Sequence, residues 1–122
     1  MSGAAERLQT VLALGFPLGA ALHFWWVGKH GVWYHGHAPA WAVGFWYGLC
    51  VLDFVVCALM LRRPRLGLIW ACAVMAVSLL VNWTCFPTFE FGFNPVLIGL
   101  TVFGATLALA APWLWRRSSI RP

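Results

Sequence analysis

Asp53 lies in the apolar run from Ala40 to Leu61 and is the only acid there. A carboxylate at that depth of a membrane span costs several kcal/mol unless it is neutral, paired or wetted, so such residues face a bundle interior and mark function. Desolvation favours the neutral acid, which can donate a proton in two ways. It can hydrogen-bond a ligand amine or hydroxyl, or it can protonate an alkene while aromatic faces stabilise the cation that forms. Further polar residues inside apolar runs include His23, Ser78, Asn82 and Thr106, with Trp46 and Trp83 as aromatic neighbours in sequence or by spacing.

Helical periodicity places Trp46, Cys50, Asp53, Cys57 and Met60 on one stripe, and Met75, Ser78, Asn82 and Cys85 on another. A third stripe holds Phe16, Gly19, His23, Trp26 and His30, while Thr106 shares a face with Gly99, Phe103 and Trp113. At ~1.5 Å per residue, His23 and Trp46 lie roughly 7 Å, and Asn82 roughly 9 Å, to the outer side of their span centres. Asp53 lies roughly 4 Å to the inner side, near Thr106, with Ser78 between the two levels. The expectation is one polar column, with His23, Trp46 and Asn82 above, Asp53 and Thr106 below, and Glu90, His35 and His37 at its outer mouth. The structural alternative is that Ser78 and Asn82 only bond across helices, which is worth about 0.6 kcal/mol each.

These residues need elements to carry them. The chain has 122 residues, 62% hydrophobic and 9% charged, well above the apolar share of soluble domains. Four apolar stretches, 8–27, 40–61, 66–86 and 95–115, are each long enough to cross a hydrocarbon core of ~30 Å. They predict an all-α integral membrane protein, a single domain over 1–122 folded as an antiparallel four-transmembrane-helix bundle. Arg7, Arg62, Arg63, Arg65, Arg116, Arg117 and Arg121 fall on one side, and Lys29 and Glu90 on the other. The positive-inside rule then puts both termini in the cytoplasm of a cell (inner) membrane, with the protein multi-pass. The net charge of +5 is a basic rim for anionic lipid, and nucleic acid is not a partner.

Other features are bounded by the same frame. The first span is too long for a signal peptide and runs into His-Phe-Trp-Trp, which suits an interfacial belt rather than a cleavage site. Cys50, Cys57, Cys72 and Cys85 all sit within spans, so neither a disulfide framework nor a zinc site is expected. His30, His35 and His37 could hold a metal; without a nearby cysteine or carboxylate they read as surface residues, and no metal or cofactor is expected. Pro64 suits the start of a third helix, and Asn94-Pro95 reads as cap and first residue of the fourth. Gly15/Gly19 and Gly44/Gly48 are small-xxx-small pairs that would let helices approach closely. Pro17 should kink the first span.

The four-span plan, Pro39-Ala-Trp41 opening the second span, Asp53 in its middle, His23 in the first and Arg116-Arg117 in the tail together resemble the EXPERA family of the sigma-2 receptor and emopamil-binding sterol isomerase. That resemblance implies an intramembrane pocket for a sterol-like amphiphile, with some members shifting a sterol double bond by proton transfer. The chain departs from it in having no acid in the first span and a shorter first connection. Asp53 and the aromatic richness also resemble small membrane-bound terpene cyclases, which would make Glu90 the second acid.

Taken together, the expected function is a pocket for an apolar isoprenoid- or sterol-like ligand, with membrane lipid around it and a homodimer as a further partner. If the protein is an isomerase or terpene cyclase, Asp53 is the acid and His23 and Asn82 are orienters or proton relays. Trp46 and Trp83 are then the walls, with Ser78 and Thr106 as further ligand contacts. The alternative is a non-catalytic accessory subunit of a larger membrane complex, in which the column is helix glue. A proton-coupled carrier would need a dimer, and no inverted repeat supports one.

Overall fold

A computed structural model describes residues 3–31, 38–85 and 95–118, with His30 described by its backbone. It contains four helices in chain order: α1 (Gly3–His30), α2 (Ala40–Arg62), α3 (Pro64–Cys85) and α4 (Pro95–Ser118). All four are long and apolar enough to cross a membrane. They coincide with the expected spans to within a few residues, except that α1 begins five residues earlier, at Gly3 rather than Leu8. The reason is tertiary. Ala5, within those added residues, is fully buried, so packing extends the helix beyond its apolar stretch.

Prolines set several boundaries. Pro39, at φ −63° and ψ 144°, precedes α2, and its carbonyl accepts the amides of Ala42 at 2.9 Å and Val43 at 3.2 Å. Pro64 and Pro95 open α3 and α4, where a missing N–H costs nothing and the fixed φ already suits a helix. Asn94, expected as the cap, lies outside the described residues, as does Phe86 at the expected end of the third span. Pro17 and Pro112 fall inside α1 and α4, which continue through them.

Each helix packs on its sequence neighbour, and α1 meets α4 sparingly; the diagonal pairs do not touch. Contacts across the seams run in opposite senses. On α1–α2, Gln9 reaches Met60 and Gly19 lies by Asp53. On α3–α4, Trp83 reaches Thr101 and Gly104 lies by Met75. The bundle is therefore antiparallel and ring-like. Its shortest connection is α2–α3, where Arg63 alone joins the helices. The Arg63 amide donates to Leu59 at 2.7 Å, and its carbonyl accepts from Gly67 at 2.8 Å. Gly67 is pressed against the Met60 backbone, where any side chain would collide.

The core is Leu12, Phe16, Trp46, Val56, Met60 and Leu107 with their smaller neighbours. Outside it, large apolar residues such as Val11, Trp41, Val51, Leu80, Val102 and Leu109 are exposed. An exposed apolar mantle of this extent would be an aggregation surface in water; around apolar helices of spanning length it is the surface that lipid covers. The chain is a multi-pass membrane protein.

Candidate functional site

Asp53 is 7% exposed, on the buried stripe of α2 that also carries Trp46, Cys50 and Cys57. Its carboxyl group turns toward α1. The Oδ2 atom lies 3.3 Å from the point where a Cβ on Gly19 would be, so the missing side chain of Gly19 makes the space the acid occupies. One turn earlier on the same face of α1, Gly15 accommodates the Phe103 ring from α4, which would stand 2.5 Å from a Cβ there. That ring also meets Phe16 edge-on, with centroids 5.5 Å apart and planes at 77°. The Gly15/Gly19 pair is thus a small-residue face that receives an aromatic ring from α4 and an acid from α2. The companion pair behaves otherwise. Side chains at Gly44 and Gly48 would meet nothing within 4 Å, so these glycines do not mediate close helix approach.

Among the described residues, the Asp53 carboxyl has no hydrogen-bond or ion-pair partner; burial is what acts on it. Two nearby polar groups on the buried stripes are committed to their own helices. Asn82, buried, donates its Nδ2 to the Ser78 carbonyl of its own helix at 2.7 Å. Cys50 directs its thiol to the Trp46 carbonyl at 3.9 Å. Ser78 and Trp46 are both buried, at 3% exposure each, and His23 is half-buried on α1.

Two expected members lie off the column. Thr106 is exposed, and its hydroxyl donates to the Val102 carbonyl at 2.8 Å. Trp83 is half exposed and donates its Nε1 to Thr101 at 3.1 Å on the outer side of α3 and α4. The physical reason is the same for both. In helices that are apolar nearly all round, depth fixes a residue's level but not its azimuth, and both side chains point to lipid. Glu90, His35 and His37, assigned to the outer mouth, lie outside the described residues, as does the His30 side chain. Among the described residues, no group of three His, Cys, Asp or Glu could hold a metal.

Gln9 was not singled out from the sequence and is nearly as buried as the core, at 3% exposure. Its Nε2 donates to the Met60 carbonyl across the α1–α2 seam, while its Oε1 is buried with no partner. It lies at the edge of the first apolar stretch, where a polar residue is ordinary. The available signal was helical spacing, because Gln9, Leu12, Phe16 and Gly19 share one face.

The fold and this site define a class, a four-span membrane bundle with one isolated internal acid. Comparison with family models, curated proteins and solved structures finds no match to this chain.

Proposed function

We propose that this protein holds an apolar isoprenoid- or sterol-like molecule beside Asp53 within the membrane, and that Asp53 donates a proton to it. The observation that carries this reading is the isolated acid: a buried carboxyl facing a glycine, with no protein partner among the described residues. A structural acid would be held by the donors around it, since an unsatisfied buried polar group costs about 1–3 kcal/mol. Here Asn82 and Cys50 are turned to their own helix carbonyls, and the acid is left for a guest.

A neutral acid in this position can serve an isomerase with no other reagent. Asp53 passes its proton to one alkene carbon, and a carbocation forms. The resulting carboxylate takes a proton from an adjacent carbon, which moves the double bond and restores the acid. Aromatic faces stabilise the cation. The inward rings available are the buried Trp46 on the Asp53 stripe and Phe16 with the half-buried Phe103 beside the glycine face, in place of the outward-facing Trp83. The cyclase variant uses the same first step. The EXPERA resemblance supports the ligand class, and the arginine-rich end supports termini in the cytoplasm of the cell membrane.

The test is mass spectrometry of small molecules extracted from purified wild type, Asp53→Asn and Asp53→Leu. Wild type should carry an apolar compound that Asp53→Leu lacks. Asp53→Asn, which keeps a polar contact without an acidic proton, should retain that compound unconverted. Equal extracts from all three would overturn the reading, and a stoichiometric co-purifying protein would favour the accessory-subunit alternative.

A further inference from the structure

The arginine-rich end of the bundle carries a second feature, distant from Asp53 and independent of its role. Between α3 and α4 lies an open trough of about 430 Å³. Its floor is made of small residues, Cys72, Ala108, Ala111 and Pro112, and its walls include Leu68 and Trp115. The lining is apolar throughout. From Trp115 to Ala108 the trough runs along α4 for two turns, about 10 Å at 1.5 Å per residue. That length suits the first eight or so methylenes of an acyl chain.

Charge says what should cover it. The Arg65 guanidinium stacks over the Trp115 ring at 5.3 Å, so a cation stands on the trough's own wall residue. Arg62 ends α2, Arg63 joins it to α3, and Arg116 and Arg117 follow Trp115 in the last turn of α4. Among the described residues, Glu6 is the one acid at this end of the bundle. An apolar trough that opens under an arginine cluster matches a molecule with a hydrocarbon chain and an anionic head.

We infer that the α3–α4 trough is a binding site for an anionic phospholipid. One acyl chain lies on Ala108, Ala111 and Pro112, and the phosphate meets Arg65 and the neighbouring arginines. A neutral or zwitterionic lipid would fill the trough equally well but would forgo the arginines. Basic residues at a membrane surface strengthen binding of anionic lipid by about fivefold each.

Native mass spectrometry of the delipidated full-length protein in detergent tests this, titrated with phosphatidylglycerol or with phosphatidylcholine of identical chains. Phosphatidylglycerol should bind about tenfold more tightly. Arg65→Gln should lower that preference about fivefold, and Ala108→Trp, at an exposed position, should fill the trough and remove tightly bound lipid of either kind. Glycerol phosphate at millimolar concentration should not displace the lipid, because it lacks the chain. Equal affinity for the two lipids, or unchanged binding in Ala108→Trp with native helicity, would overturn the assignment. So would displacement by glycerol phosphate, or a dimer lost in Ala108→Trp with lipid binding intact.

Discussion

The α2–α3 seam and the α1–α4 seam are built on opposite principles. The first is closed by one residue, Arg63, and packs backbone on backbone at Gly67 and Met60. The second is the sparsest contact in the ring and depends on one ring, Phe103, seated on Gly15 and edge-on to Phe16. Asp53 belongs to the rigid pair by its helix, yet its carboxyl points away from α3 toward Gly19 on α1. The difference teaches where this molecule can admit a guest. Asp53 and Gly19 lie in the well-packed α1–α2 seam, so the acid stays positioned, and the side that can yield is the sparse α1–α4 seam beside it, where Phe103 covers the glycine face.

The contrast can be broken most severely at Gly67. Gly67→Leu should lower stability by about 3 kcal/mol or more, because the added side chain meets backbone, which cannot give way; unfolding in mixed micelles measures it. A loss comparable to that of an ordinary surface substitution would show that the hairpin is not the rigid half.

Phe103→Ala tests the other seam. It should cost about 2 kcal/mol, less than a fully buried Phe, and should increase labelling of a cysteine placed at Gly19 if the sparse α1–α4 seam guards Asp53. Gly15→Ala should cost about 1 kcal/mol, since the clash falls on the far end of a side chain that can swing. Methyl or aromatic NMR of Phe103 would follow that displacement.

Gln9→Leu gives up the bond to Met60 but also removes a buried, unpartnered oxygen. Its effect on stability should fall within about 1 kcal/mol of zero, distinguishing a polar contact from a structural clamp. The smallest effect belongs to Trp83→Phe, about 0.6 kcal/mol for one interhelical hydrogen bond. Ligand retention should be unchanged by it, because Trp83 faces outward.

The spans were legible because a stretch of some twenty apolar residues has few alternatives to a membrane helix, and the prolines at 64 and 95 marked where two of them start. Burial was also legible for Asp53, because it follows from the cost of an acid in an apolar span. Azimuth was not. Thr106 and Trp83 look no different from inward-facing residues in helices with no polar face, and nothing local separates Gly15/Gly19 from Gly44/Gly48. Which pair meets a neighbour is decided by helices distant in sequence. Gln9 and Gly67 escaped for a related reason. Both lie at span ends, where polar and small residues are ordinary, and only the docking of α1 and α3 onto Met60 gives them a role.

The one-residue connection at Arg63 also bears on the order in which the bundle assembles. Met60 and Gly67 meet across a loop of only a few residues, so bringing them together costs little chain entropy, and the contact can form as soon as α3 has been synthesised. Gly15 and Phe103 come from the first and last helices, and their meeting closes the longest loop in the molecule. The hairpin is therefore a natural nucleus, and the α1–α4 contact is the late one that completes the ring. A chain stalled before α4 would hold Asp53 in place on its hairpin with the ring still open beside it.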